Sequence, residues 1–125
     1  MKKILTIVFL ALCYTSCNKK QNNNKLNEAI IKIKLENLSD STLVILKKFD
    51  NEAKIIDSGY AKGNKLLLKT NINEEGLYTL KFMNLYYSSE FFFDFWYEHK
   101  NINISGNFRE IKTIKVENSY LNNLL

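Results

Sequence analysis

Short stretches in which apolar and polar residues alternate are the feature that most constrains the fold of this chain. Residues 31–36 alternate strictly between an aliphatic and a charged side chain, the period of two expected of a strand with one buried face. Comparable stretches follow between turn residues such as Gly63-Asn64. They lie at 43–46, 53–60, 65–69, 77–83, 90–97, 102–105 and 111–116. The spacing predicts about eight short strands in a single antiparallel β-sandwich or barrel-like domain over residues 26–125.

Only the tail has a helical pattern. Ser119 is a helix-capping residue type, and Leu121, Leu124 and Leu125 fall on one helical face, so a short C-terminal helical turn is predicted. The chain has no proline and 4 glycines, which is few for a protein rich in turns. Asparagine is therefore expected in the turns, because it tolerates a left-handed backbone better than other non-glycine residues.

The N-terminus is typical of an export signal. Lys2-Lys3 precede the apolar run Ile4–Leu12, which is far shorter than the roughly twenty residues of a membrane-spanning helix. Cys17 follows the small residues Thr15-Ser16, which a bacterial lipoprotein signal peptidase requires, whereas Cys13 follows Leu12. We expect residues 1–16 to form a signal peptide that is cut before Cys17. The alternative is an ordinary signal peptide that leaves Cys17 as a free thiol.

Lipidation of Cys17 would place a diacylglycerol thioether on its sulfur, often with a third acyl chain such as palmitate on the amino group, and two chains suffice for stable anchoring. Residues 17–25 would then be the lipidated cysteine and a flexible polar tether, since NKKQNNNK has no apolar side chain to bury. Cys13 would leave with the signal, so no thiol would remain for redox catalysis. Because Asn18-Lys19-Lys20 is not acidic, we expect an outer-membrane lipoprotein facing the periplasm.

The charge of the whole chain is concentrated in the signal and tether. The formal net charge of +5 comes from 18 basic and 13 acidic residues. Five of the basic residues precede position 26, which leaves 13 basic against 13 acidic residues in the domain. A neutral domain offers no basic face for nucleic acid, so we expect no nucleic-acid partner.

Residues 91–97, FFFDFWY, are the most distinctive segment of the predicted domain. On a strand, the side chains of Phe91, Phe93, Phe95 and Tyr97 point one way, and those of Phe92, Asp94 and Trp96 the other. The first interpretation is a core strand whose second set is covered by a loop or a partner. The second is an exposed platform for a sugar or peptide, and the third a docking face for another domain. The candidate platform residues are Phe92, Trp96, Tyr86 and Tyr87.

Residue constellations typical of enzymes are missing. His99 is the single histidine, which rules out a two-histidine metal site and a Cys-His pair, and its charged neighbours favour a surface turn. Glu74-Glu75 precedes Gly76 at a turn, where solvated charge is the ordinary explanation. Gly59-x-x-x-Gly63 lacks the ending of a phosphate-binding loop. We therefore predict that the protein is not an enzyme and that it has no cofactor and no metal site.

The order of motifs resembles a known family. The segments 57–68, 75–80, 92–107 and 114–122 resemble the strand-and-turn motifs of domain of unknown function 4369, including its I-x-I-x-G strand at 102–106. The family usually has glycine where Asn118 stands. In many Bacteroidota thiol:disulfide interchange or peroxiredoxin-like lipoproteins this domain precedes a thioredoxin-like domain. The resemblance covers residues 28–125. It implies a fold and a neighbouring thioredoxin-like domain, but no active site in this domain, because the redox C-x-x-C belongs to the thioredoxin-like domain.

Three functional hypotheses follow. The leading one is a lipid-anchored cell-envelope β-sandwich module with a non-catalytic binding, scaffold or positioning role, either standing alone or as the front part of a thioredoxin-like lipoprotein. The second is an accessory to a separately encoded thiol:disulfide oxidoreductase. The third is a small glycan- or peptide-binding lipoprotein that uses Trp96 and its neighbours.

Overall fold

The computed structural model describes residues 28–84 and 89–124. The predicted signal, the whole tether 17–25 with Cys17, the segment with Tyr86 and Tyr87, and Leu125 lie outside the described residues. The strands are β1 (Ala29–Glu36), β2 (Leu43–Lys48), β3 (Asn51–Tyr60), β4 (Lys65–Thr70), β5 (Gly76–Met83), β6 (Glu90–Tyr97), β7 (Ile102–Asn107) and β8 (Glu110–Glu117). A single 3-10 turn, Leu121–Asn123, follows β8.

The strands form two four-stranded sheets. Sheet 1 has the order β4-β1-β7-β8, and sheet 2 has the order β3-β2-β5-β6. The predicted all-β sandwich is confirmed. The prediction described all its strand pairs as antiparallel, and one pair differs. The central strands β1 and β7 of sheet 1 run parallel, from Ile31 opposite Ile102 to Glu36 opposite Asn107. A parallel pair needs a long crossover, and here the chain supplies it by passing through sheet 2.

The core lies between the two sheets and is built from the alternating positions. In β1 the aliphatic side chains of Ile31, Ile33 and Leu35 are buried, and the charged ones between them are exposed. In β6, Phe95 and Tyr97 are buried, while Phe91 and Phe93 are partly buried and pack against the core. Complete burial of such a side chain stabilises the fold by about 1.5–3 kcal/mol. The other fully buried members include Val44, Leu46, Leu68, Leu80, Phe82, Ile102 and Ile104.

Asparagine occupies left-handed turn positions, as predicted. Asn37, Asn64 and Asn118 have φ values of 61°, 62° and 66°. At Asn118 the backbone is thus in the region that favours the family's usual glycine. The asparagine accommodates the same turn because its short polar side chain tolerates that conformation.

The strand directions place several connections at one end of the sandwich, which we call the N-terminal end. There β1 begins at Ala29, and the chain passes through Phe49–Asp50, 71–75 and 98–101. The C-terminal turn follows β8 at the same end. The turns at 37–42, 61–64 and 108–109 lie at the opposite end. Among residues 28–84 and 89–124, no helix is long and apolar enough to cross a membrane.

Candidate functional site

The outward face of β5 and β6 in sheet 2 carries the described part of the predicted aromatic platform. Phe92 is 54% exposed and Trp96 is 36% exposed, and both point away from the core. Their positions four residues apart put their Cα atoms about 13 Å apart along the strand. Between them, Asp94 accepts a hydrogen bond from the hydroxyl of Thr79 at 2.6 Å. The two aromatic side chains are therefore separate features of this face.

Phe92 has a cation beside its ring. The Nζ atom of Lys81, opposite Phe92 on β5, lies 5.5 Å from the ring centroid. The same ammonium group lies 2.8 Å from the carboxylate of Glu90. A cation within about 6 Å of a ring centroid is attracted to the ring face. That contact competes with the stacking of a ligand on Phe92.

Trp96 lies beside the C-terminal turn at the free edge of sheet 2. Its backbone N–H donates to Oδ1 of Asn122 at 2.9 Å, and its carbonyl accepts from Nδ2 of the same side chain at 2.8 Å. The Asn122 amide thus pairs with β6 as a neighbouring strand would. Because an unpaired edge invites pairing with another chain, this contact covers one position of that edge.

Glu98 holds the C-terminal turn from the end of β6. Its Oε2 atom accepts from the Ser119 hydroxyl at 2.7 Å and from the Tyr120 N–H at 2.9 Å, and its Oε1 atom accepts from the Leu121 N–H at 3.1 Å. The Ser119 hydroxyl in turn accepts from the Asn122 N–H at 3.3 Å. The N-cap of the 3-10 turn is the next residue, Tyr120, which has no side-chain cap, so Ser119 holds the turn from one position before the predicted capping site. The hydrogen bond from Ser119, with those from the two backbone amides, lowers the pKa of Glu98 despite its partial desolvation.

A cleft of about 570 Å³ opens between the sheets where β3 and β4 diverge. Near the turn that joins them, these strands are close enough for a Cβ on Gly59 to lie 2.9 Å from Leu66. Toward the N-terminal end, the register of β3 with β2 shifts on both sides of Lys47, and this irregular part of β3 lines the cleft. Buried side chains of Thr70, Ile72 and Tyr78 line the cleft.

The polar lining of the cleft contains three lysines and three asparagines. Lys48 forms an ion pair with Glu74 at 2.6 Å, and this hydrogen bond raises the pKa of Lys48 and lowers that of Glu74. Within the described part of the chain, the ammonium groups of Lys54 and Lys69 have no hydrogen bond or ion pair. The amides come from Asn51, Asn71 and Asn73. The lining can therefore donate to an acidic or hydroxyl-rich ligand.

The predicted turns at His99 and Glu74-Glu75 are confirmed. His99 has a left-handed φ of 56° between β6 and β7, and its Nε2 atom lies 3.9 Å from a carboxylate oxygen of Glu75. Glu74 differs from a purely solvated charge because it pairs with Lys48. Over the ranges 28–84 and 89–124, no group of three or more His, Cys, Asp or Glu side chains is arranged to hold a metal ion.

The structure separates the predicted aromatic site from the cleft. Phe92 and Trp96 lie on β6 at one edge of sheet 2, and the cleft lies beside β3 at the other. Sequence reasoning missed Lys54, Lys69, Glu98 and Asn122. Nothing local distinguishes these residues, because each takes its place only when segments distant in the chain come together.

Comparison with known proteins identifies one family. The model of a domain of unknown function (DUF4369) matches residues 29–125, which include all eight strands and the C-terminal turn. Neither a curated protein nor a solved structure matches the chain.

Proposed function

The chain belongs to the DUF4369 family, and from that premise we propose that it is a lipid-anchored module of the cell envelope. Its role is non-catalytic: the sandwich binds, supports or positions another molecule close to the membrane. The anchor is the lipid on Cys17, and the location is the periplasmic face of the outer membrane. A thioredoxin-like domain or protein is the partner that the family resemblance suggests.

The observation that carries the proposal is the position of Cys17. It follows a basic n-region, a short apolar run and two small residues, and it precedes a polar segment without apolar side chains. The first strand begins at Ala29, 12 positions after Cys17. A link of that length reaches at most about 43 Å when fully extended. The folded domain would therefore stay within about its own length of the bilayer.

Replacement of each cysteine by alanine, in separate variants, tests the anchor. In cells that express the full chain, Cys17→Ala should move the protein from the membrane fraction to the soluble fraction and abolish its labelling with radioactive palmitate. Cys13→Ala is the matched control, because Cys13 lies inside the predicted signal, and this variant should stay labelled and membrane-bound. Palmitate labelling that persists in Cys17→Ala would contradict the proposal.

A second candidate function, ligand binding, is favoured by the cleft. Lys54 and Lys69 line it beside three asparagine amides and the carboxylates of Asp57 and Glu74, and the charge of Lys54 helps to lower the pKa of Glu74. Soluble fragments of peptidoglycan, which combine sugars with acidic peptides, are the probe that fits this lining. Their addition should shift the NMR resonances of 51–57 and 69–74. The double variant Lys54→Ala/Lys69→Ala should lose the shifts, while Lys32→Ala/Lys115→Ala, on sheet 1, should keep them.

The remaining hypothesis, an accessory role for a separately encoded thiol:disulfide oxidoreductase, stays a prediction from the family resemblance. Co-purification of the full chain with a thioredoxin-like protein from its own cells would support it.

A further inference from the structure

Of the ten large apolar side chains that are exposed in the described part of the chain, five lie at the N-terminal end of the sandwich, on β6, the β2–β3 turn and the C-terminal turn. Phe49 is 51% exposed, Tyr120 is 70% exposed and Leu124 is 63% exposed. Trp96 and Leu121, at 36% and 37%, lie beside them. We call these five residues the apolar rim. Large exposed apolar groups that cluster in this way mark a contact with another molecule or a membrane.

Backbone contacts join the segments that carry the apolar rim. The N–H of Phe49 donates to the carbonyl of Leu77 at 3.0 Å, and Leu77 lies opposite Trp96 in the β5–β6 ladder. Trp96 in turn is hydrogen-bonded on both its backbone groups to Asn122 of the C-terminal turn. The rim therefore runs from the β2–β3 turn, across the ends of β5 and β6, to the C-terminal turn.

The tether arrives at the same end of the molecule. The described chain begins at Glu28, and the backbone N–H of Ile30 donates to the side chain of Asn101 in the β6–β7 turn at 3.1 Å. The start of β1 is thus held next to the turn that follows Trp96 and Glu98. A lipid on Cys17 would reach the domain from this end, whereas the turns at the opposite end lie a full strand length away, about 26 Å for eight residues.

Charge favours an apolar contact over an electrostatic one. At the N-terminal end, four acidic side chains (Asp50, Glu74, Glu75 and Glu98) stand against Lys47, Lys48 and Lys100, and Lys48 is already paired with Glu74. An excess of basic residues is what attracts a protein to anionic headgroups. The rim lacks that excess, so its attraction to a membrane would come from its aromatic and aliphatic groups.

We propose that the apolar rim rests on the lipid bilayer that carries the anchor, with Trp96 and its neighbours in the interfacial region. Aromatic side chains favour this region because the ring is apolar and its edge remains wet. Apolar faces of such surface elements enter about 5–10 Å into the headgroup and acyl boundary. The inference rests on the proposed lipid anchor, which keeps the domain at the surface and makes a weak contact effective.

The single tryptophan of the chain, Trp96, provides the test. The full lipidated protein is reconstituted into phosphatidylcholine vesicles whose acyl chains are brominated either near the headgroup or near the methyl end. Flotation of the vesicles reports the anchor, and quenching of tryptophan emission reports the rim. We expect flotation, with a larger loss of emission for the shallow bromine than for the deep one, and no change in high salt.

The outcomes separate the two proposals. Protein that floats with unquenched emission would overturn the rim contact and leave the anchor in place. Protein that does not float would refute the anchor and the inference that rests on it. Quenching that disappears in high salt would overturn the apolar contact.

Three substitutions, two in the rim and one control, locate the contact. Phe49→Ser lies in the rim, and Tyr60→Ser is its matched control because Tyr60 is 60% exposed at the opposite end. Phe49→Ser should reduce the quenching while flotation and the far-UV spectrum stay unchanged, and Tyr60→Ser should leave all three unchanged. Leu124→Ser, a second rim variant outside the strands, should act like Phe49→Ser. Equal quenching in all four proteins would refute the assignment of the rim.

Discussion

Replacement of Gly106 by alanine adds a single methyl group, and we expect it to destabilise the fold strongly. The φ of Gly106 is 143°, and a Cβ built there would lie 2.6 Å from the carbonyl oxygen of Thr113 and 2.7 Å from Cα of Ile114. Both contacts are to the backbone of β8, so no side-chain rotation relieves them. The β7–β8 register shifts between Ser105 and Asn107 at this point. Gly106→Ala must therefore separate the two strands or change the backbone conformation.

The expected loss of stability is the sum of a cost in backbone conformation and a cost in packing. A non-glycine residue in this backbone region costs about 1–3 kcal/mol, and overpacking in a closed site costs about another 1–3 kcal/mol. The reduced freedom of the unfolded chain returns about 0.4–1 kcal/mol. Gly106→Ala should therefore lower the free energy of unfolding by about 1–5.5 kcal/mol, with the middle of that range near 3 kcal/mol, and lower Tm by roughly 5–30 °C for a domain of this size.

Gly63→Ala is the control for backbone conformation alone. Gly63 has a φ of 60°, and a Cβ there would meet no atom within 4 Å. Its replacement should cost no more than about 1–2 kcal/mol. Urea unfolding followed by far-UV circular dichroism measures both variants. If the two losses agree within about 1 kcal/mol, the close approach of β8 to Gly106 contributes nothing and the reasoning is refuted.

Three further predictions concern β6 and the C-terminal turn. Phe95→Ala, in the core, should cost about 3–5 kcal/mol of unfolding free energy, and exposed Phe92→Ala should cost about 0.5 kcal/mol or less; equal losses in urea would contradict the assigned faces. Asn122→Ala should remove both hydrogen bonds to Trp96 and speed hydrogen exchange of the Trp96 amide, whereas an unchanged rate would refute the edge pairing. Because hydrogen bonds lower the pKa of Glu98 in the folded state, the stability that they contribute is present above its unfolded pKa of about 4.3 and is lost as pH falls through the folded value. NMR should show the C-terminal turn detaching in acid, and Glu98→Gln should weaken its docking at neutral pH and remove this acid dependence.

The strands and most turns could be predicted because their signals are local. A strand places successive side chains on opposite faces, so the alternation at 31–36 and 91–97 predicted which side chains the core would receive. The left-handed turns at Asn37, Asn64 and Asn118 likewise follow from the conformational tolerance of single residues. The motif that ends in Gly106 resembled the family's strand, and its close approach to Ile114 supplies the physical reason for that glycine.

The surface features could not be predicted, because they depend on contacts between distant segments. Asn122 meets Trp96 across 26 positions, and Glu98 meets Ser119 across 21. Lys54 and Lys69 come together only because β3 and β4 enter different sheets and then diverge. No periodicity in a single segment carries this information.

Short strands around an apolar core follow from the order of residues along the chain, since alternation of residue types is a property of each strand alone. The sequence also carries the predicted signal and Cys17, which are read along the chain and need no fold. Three arrangements appear only in the folded domain: β1 and β7 pair in parallel, a cleft opens beside β3, and Phe49, Trp96 and the C-terminal turn share one end with the start of β1. These arrangements depend on which strands become neighbours, and the free energy that selects them comes from packing two complete sheets together.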